Sequence, residues 1–265
     1  MPDLSPKARF ARLLVSLLRV LGLRENANRW RHSRARARRR ALTPDDPAAW
    51  PGLHGMDRKL NDIIDIDDGF FVEAGANDGY TQSNTYWLER FRGWRGLLVE
   101  PMSELYEFCR LERPAATVVR AALVSYDYAE GTVTMRFGDL MSTVIGSHEV
   151  HERTEFGNAL GIYDAHTEEV PARTLSALLD EIGAPEVDLL SLDVEGFEPT
   201  ALAGIDFERH APRWILVEVH DEGSGRPPIE AVLGDRYVFG QRLSPTDLLY
   251  RRAAVGADRA DAATT

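Results

Sequence analysis

Short apolar runs return along this chain, and each stops at a group that can carry charge. "FFVEA" carries Glu73, "GLLVE" stops at Glu100, "DLLSLD" stops at Asp193, and "WILVEVH" carries Glu218 and ends on His220. Stretches with helical spacing separate the runs: Gln82–Phe91, Glu104–Leu111 and Leu175–Ile182 are predicted helices. Parallel neighbours need a crossover, usually a helix, so this alternation predicts an α/β fold whose mostly parallel sheet is covered on both faces. In such sheets ligands gather at the carboxyl ends of the strands, near the switch point. The residues just beyond each strand are therefore the candidates for function.

The remaining strands are predicted at Thr117–Val119 and Gly131–Phe137, with a closing hairpin at Tyr237–Gln241 and Leu248–Arg251. Leu60–Ile66 reads as a short helix entering the first strand. Gly138–Glu169 is polar, holds four glycines and three histidines, and reads as an irregular insertion suited to substrate contact. The body is placed at 56–252, after a Pro- and Asp-containing break, and the tail 253–265 is expected to be disordered.

Residues 1–45 form a separate basic arm. Phe10, Leu13, Leu14, Leu17, Leu18 and Leu21 recur at helical spacing, followed by "WRHSRARARRR". Residues 1–40 carry 12 of the 31 Lys+Arg and two acids, a net of +10, which leaves −21 for the other 225 residues against −11 overall. An acidic body argues against nucleic acid as a partner. The apolar stripe needs cover: a second copy of the chain, giving a homo-oligomer, is the first expectation. Docking on its own domain and peripheral contact with an anionic membrane follow. No apolar run approaches the roughly 20 residues of a membrane span. The single Cys109 excludes an internal disulfide framework and fits a reducing, cytoplasmic setting.

The strand ends carry the chemistry. After the first run stand Glu73, Gly75, Asn77 and Gly79, a G-x-N-x-G turn that is either an ordinary tight turn or one shaped to admit a ligand. It lacks the dinucleotide fingerprint, and its acids would repel a pyrophosphate but suit an ammonium. Glu100 is placed to accept from two ribose hydroxyls, or is a solvated acid. Asp193, Glu195, Glu218 and His220 come from neighbouring strand ends; they are polar neighbours of a cofactor, or Asp193, Glu218 and His220 hold magnesium or another divalent cation. His148 and His151 in "HEVHE" are three apart, not the four of a zinc-binding helix; they read as solvated loop or as substrate contacts.

Together "FFVEAGANDGYTQSNTYWLE", "WRGLLVEP", "VPARTLSALLDEIGAPEVDLLSLDVEGFEPTALAGID" and "WILVEVH" resemble the FkbM family of S-adenosylmethionine-dependent methyltransferases, over residues 69–221. The resemblance implies a Rossmann-like class I methyltransferase fold, seven strands with the last antiparallel. It also implies roles: the Gly75–Gly79 turn around the amino-acid end of S-adenosylmethionine with Glu73 near the ammonium, Gln82, Ser83 and Asn84 opening the next helix beside it, Glu100 on the ribose, and Pro101 and Ala122 at the adenine. Asp193 would also face the cofactor. His220 and Asp193 are the expected catalytic pair for O-methylation of a sugar or natural-product hydroxyl, with Glu195 toward the acceptor. A nicotinamide-dependent oxidoreductase and a non-catalytic cofactor-binding module are the competing readings.

Overall fold

The computed structural model describes residues 23–136, 143–144, 167–220 and 222–254. The apolar stripe Phe10–Leu21, His148 and His151 with most of the insertion, and nearly all of the tail lie outside the described residues. Helix α1 (Leu23–Arg39) precedes two single-turn 3₁₀ segments and α2 (Met56–Ile63). Then follow β1 (Phe70–Ala74), α3 (Tyr86–Phe91), β2 (Arg95–Val99), α4 (Ser103–Glu112) and β3 (Thr117–Val119). A second group comprises β4 (Ala122–Leu123), β5 (Thr132–Arg136), β6 (Thr143–Val144) and β7 (Thr167–Arg173). The chain returns through α5 (Leu175–Ile182), β8 (Leu189–Leu192), α6 (Glu198–Leu202), α7 (Phe207–His210) and β9 (Trp214–Glu218). It closes with α8 (Glu222–Leu233), β10 (Tyr237–Arg242) and β11 (Asp247–Arg252).

The main sheet runs β10-β11-β9-β8-β1-β2-β3. From β9 to β3 the pairing is parallel, and β11 runs antiparallel to both its neighbours. The switch point therefore lies between β1 and β8. Apolar strands bury both faces because successive side chains alternate. Val72, Leu97, Leu190 and Ile215 pack with Leu178 of α5 and Leu233 of α8. Phe71, Leu98, Leu189 and Leu216 pack on the other face with Leu60 of α2 and Leu88 of α3. Helix α5 takes the expected bounds; Thr174 Oγ1 accepts from the Ala177 N–H at 3.3 Å at its start, and Gly183 at φ 60° ends it.

Three expectations are corrected. The segment from Gln82 is not helical until Tyr86, because the Glu73 carboxylate accepts from the Asn84 N–H (2.7 Å), Ser83 Oγ (2.9 Å) and Thr85 Oγ1 (2.6 Å) and holds those residues in a turn. The entry helix is Met56–Ile63, not Leu60–Ile66. The end of the expected insertion is ordered: β7 begins at Thr167 and joins the small sheet β4-β7-β5-β6. That sheet covers a cluster of Met102, Ala122, Val133, Met135 and Val170 beside the carboxyl end of β2.

The described part of the arm is packed on its own domain. His32 stacks on Phe108 of α4 with ring centroids 3.8 Å apart, and Arg39 pairs with Glu112 at 3.1 Å. Among the described residues no helix is long and apolar enough to cross a membrane.

Candidate active site

A cavity of ≈ 990 Å³, its open mouth included, lies at the carboxyl ends of β1, β2 and β8. The turn after β1 forms one wall. The Gly75 and Ala76 N–H groups both donate to the Val99 carbonyl (3.0 and 3.2 Å), which folds the chain toward β2. Gly75 sits at φ 82°, and a Cβ there would lie 1.9 Å from the Asp193 carbonyl oxygen. The two strands at the switch point thus approach backbone to backbone, a contact only glycine permits. Asn77 follows at φ 50° and donates its N–H to Glu100 Oε2 at 2.8 Å. Gln82 is also left-handed, at φ 61°.

The turn is held from beneath. Asp78 Oδ1 accepts from the Tyr80 and Thr81 N–H groups (3.0 and 2.6 Å). Arg113 at the end of α4 is buried and donates to the Gly79 carbonyl (3.2 Å), Ser83 Oγ (3.1 Å) and Thr85 Oγ1 (2.9 Å). It also pairs with Glu89 at 2.7 Å and Glu73 at 3.5 Å. Asn84 reaches across the switch point to donate to Ser191 Oγ of β8 at 3.0 Å.

The opposite wall is apolar, with Pro101, Leu105, Ala122, Val133 and Met135 facing the cavity. Glu100 stands at its edge, accepting from Asn77 and, at 2.9 Å, from the Met102 N–H. Burial pushes its carboxyl up to about 8, further than those two donors pull it down.

The third wall is acidic. Asp193 is half-buried as a residue, yet its Oδ1 is fully shielded and has no hydrogen-bond partner among the described residues. Burial, then Glu218, holds its carboxyl well above the usual range. Glu195 sits in the left-handed region at φ 54°, and burial with Glu218 beside it raises its carboxyl to about 7. Glu198 turns back to accept from the Val194 and Gly196 N–H groups (3.0 and 3.1 Å) and shapes this loop. His220 Nε2 lies 3.5 Å from Glu195 Oε2 and 3.7 Å from Glu218 Oε2.

Of the residues singled out from sequence, Glu73, Gly75, Asn77, Gln82, Ser83 and Asn84 line the cavity, as do Glu100, Pro101, Ala122, Asp193 and Glu195. Gly79 faces away, where a Cβ would lie 2.9 Å from Arg113 Cγ and 3.1 Å from Cys109 Cα; it lets the turn pack on α4. Glu218 and His220 stand behind Glu195, not on the cavity wall. Among the described residues no three His, Cys, Asp or Glu side chains converge as a cation site, so Asp193, Glu218 and His220 are not arranged as the expected ligand set. Sequence reasoning missed Arg113, and also Val133 and Met135, which reach the cavity only through the small sheet.

Residues 73–235 match the methyltransferase FkbM domain. The chain belongs to the FkbM methyltransferase family. This FkbM methyltransferase is 27% identical over 197 residues to methyltransferase sdnD of Sordaria araneosa, covering 63% of this chain and 72% of that one. It is similar to a solved TehB-like SAM-dependent methyltransferase from Corynebacterium glutamicum (TM-score 0.40, 13% identity, 87% of this chain and 97% of that chain). It is also similar to an O-methyltransferase from Bacillus cereus in complex with SAH (TM-score 0.41, 12% identity, 84% and 89%). The chain is an S-adenosylmethionine-dependent methyltransferase. The cavity's chemistry fits that cofactor, whose sulfonium and ammonium are positive: Asp193 brings a shielded oxygen with no partner among the described residues, and Glu73, Glu100 and Glu195 line the same space.

Proposed function

We propose that this FkbM methyltransferase methylates a hydroxyl of a sugar or natural-product small molecule. The observation that supports this reading is His220, 3.5 Å from Glu195, whose side chain lines the cavity in front of it, and 3.7 Å from Glu218. A hydroxyl is a weak nucleophile at neutral pH and gains most from a positioned base. In this reading Gly75, Asn77 and the Gln82–Asn84 turn receive the amino-acid end of S-adenosylmethionine, Glu100 accepts from the ribose, and Pro101 and Ala122 border the adenine. Bound there, S-adenosylmethionine supplies a methyl group already activated by its sulfonium.

The chain's own contribution is alignment, exclusion of water and removal of one proton. The acceptor's hydroxyl proton passes by way of the Glu195 carboxylate, which lines the cavity, to the His220 imidazole behind it, and Glu195 and Glu218 stabilise the imidazolium that results. Asp193, beside the Gly75 backbone, orients the reacting groups at the switch point. Glu195 contacts the acceptor, and His148 and His151 of the insertion are further candidates for contact with it.

The test is incubation with methyl-labelled S-adenosylmethionine and a panel of hydroxylated sugars and natural-product alcohols, read by mass spectrometry. The expected product carries one labelled methyl on oxygen, and His220→Ala loses it while cofactor affinity is kept. Methyl transfer to nitrogen or carbon only, or undiminished turnover in His220→Ala, overturns the reading. Turnover that disappears on exhaustive chelation and returns with magnesium would instead make Asp193, Glu218 and His220 ligands of a cation.

A further inference from the structure

The docking of α1 fixes which of its faces meets solvent. Asn28, His32, Ala35 and Arg39 are spaced by four, three and four residues and form its inner face. Asn28 donates to Glu104 at 3.3 Å, His32 stacks on Phe108 and lies 3.6 Å from Asp78, and Arg39 lies over the Tyr80 ring at 3.5 Å while pairing with Glu112. These contacts satisfy the inner face with the domain's own acids and rings.

At about 100° per residue, Trp30 falls opposite that face. It is 60% exposed, the most exposed large hydrophobic side chain among the described residues. Arg34 stacks over its ring at 5.0 Å, Arg29 and Arg38 are exposed on the same helix, and Arg31 is exposed at its flank, where it donates to Asn28 Oδ1. No ion pair among the described residues engages these four arginines. The helix thus presents an aromatic ring with one guanidinium stacked on it and others exposed nearby, on a chain whose residues 41–265 carry −21.

We propose that this outer face of α1 seats the enzyme on an anionic lipid surface. An indole sits at headgroup level with its apolar body inward, and arginines around it reach phosphates at that same depth. A protein partner would need a pocket shaped for the ring, whereas a bilayer interface does not. The chain that leads into α1 has the matching composition: Phe10, Leu13, Leu14, Leu17, Leu18 and Leu21 at helical spacing, with Arg9, Arg12 and Arg19 between them. A basic patch with an apolar stretch beside it is the pair of signals that stable, reversible anchoring takes. Residues 41–265 carry −21 and would be repelled by the same lipids, so the basic arm is the part of the chain turned toward them. This proposal stands apart from the identity of the methyl acceptor.

The experiment is sedimentation of the full chain with vesicles of phosphatidylcholine alone, or of phosphatidylcholine with one-third phosphatidylglycerol, at low and high salt. Binding is expected to the anionic vesicles only and to fall with salt. Replacing Arg29, Arg31, Arg34 and Arg38 together by Gln should reduce partitioning by about fivefold per arginine. Trp30→Ala should reduce it a few-fold. Melting temperature and S-adenosylmethionine affinity should not change in either variant, because none of these side chains is in the core or the cavity. Equal binding to neutral and anionic vesicles, no binding to either, or full binding by the four-arginine variant overturns the proposal. So does a salt-reversible dimer in light scattering that needs the four arginines and excludes vesicles, which would assign the face to a second copy.

Discussion

Arg113 is the side chain whose loss should be felt furthest from its own position. It is 1% exposed, and its partners Glu89 and Glu73 are 7% and 6% exposed, so solvent screens this network little. Burial works against its charge, but Glu89 and Glu73 more than offset that and raise its pKa further. Arg113→Met keeps an unbranched stem against Gly79 and Cys109 and removes the charge. Two buried carboxylates then lose their common counter-ion, and the Gly79 carbonyl loses its donor. Breaking a buried ion pair by removing one partner costs about 3–5 kcal/mol. For a domain of this size that corresponds to a fall in melting temperature of roughly 6–20 °C. Because the same guanidinium holds Gly79, Ser83 and Thr85, S-adenosylmethionine affinity should fall by about tenfold or more by calorimetry at a temperature where the variant is folded. Adding Glu89→Gln to Arg113→Met should restore at least ~1 kcal/mol, since it removes the orphaned charge nearest the deletion. A melting point within about 2 °C of the parent would refute the reasoning, because two uncompensated interior carboxylates cannot cost so little. A double variant no more stable than Arg113→Met would refute the part assigned to Glu89.

Glu100→Ala should weaken S-adenosylmethionine binding by about 1–3 kcal/mol in calorimetry, from loss of the hydrogen bonds to the ribose. The Glu100 carboxyl is raised by burial from 4.5 to about 8, so the stability it contributes is fully present below pH 4.5 and is lost as pH rises through about 8. Glu100→Gln should flatten that slope in denaturant titrations at pH 5, 7 and 8.5. Gly75→Ala forces a side chain into a left-handed residue and against the Asp193 carbonyl; cofactor binding should drop more than about 100-fold, with a lower melting point. His220→Gln should lower kcat by about 10²–10⁴-fold with cofactor affinity unchanged in calorimetry.

What the sequence disclosed and what it hid follow from where the determining contacts lie. The strands β1, β2, β8 and β9 are buried on both faces, so they read as apolar runs, and their ends deliver Glu73, Glu100, Asp193 and Glu218 to one side of the sheet. Strand β7 has no such signature. Its Val170 is buried, but Glu168 accepts from Ser103 and Arg120, Glu169 accepts from Thr132 and Thr134, and Pro171 stands within the strand. Those partners are tens of residues away, so the segment resembles polar loop. Gly75 and Gly79 look alike in the G-x-N-x-G turn, yet one meets β8 and the other α4, and spacing alone does not separate them. Helical spacing from Gln82 does not reveal that α3 starts at Tyr86, because the acceptor that delays it, Glu73, belongs to a strand.

The arm shows the same effect in charge. A row of arginines reads as a solvated face, and the inner stripe of α1 contains no large aliphatic side chain that would mark it as packed. It docks through a histidine on Phe108, an alanine, and Arg39 between Tyr80 and the buried Glu112. Each element of that pairing is ordinary by itself. Together they place the helix against the Asp78–Tyr80 turn, whose neighbours Asn77 and Thr81 line the cavity. The arm that the sequence set aside as a separate segment is therefore one side of a support whose other side is Arg113, and the cofactor turn lies between them.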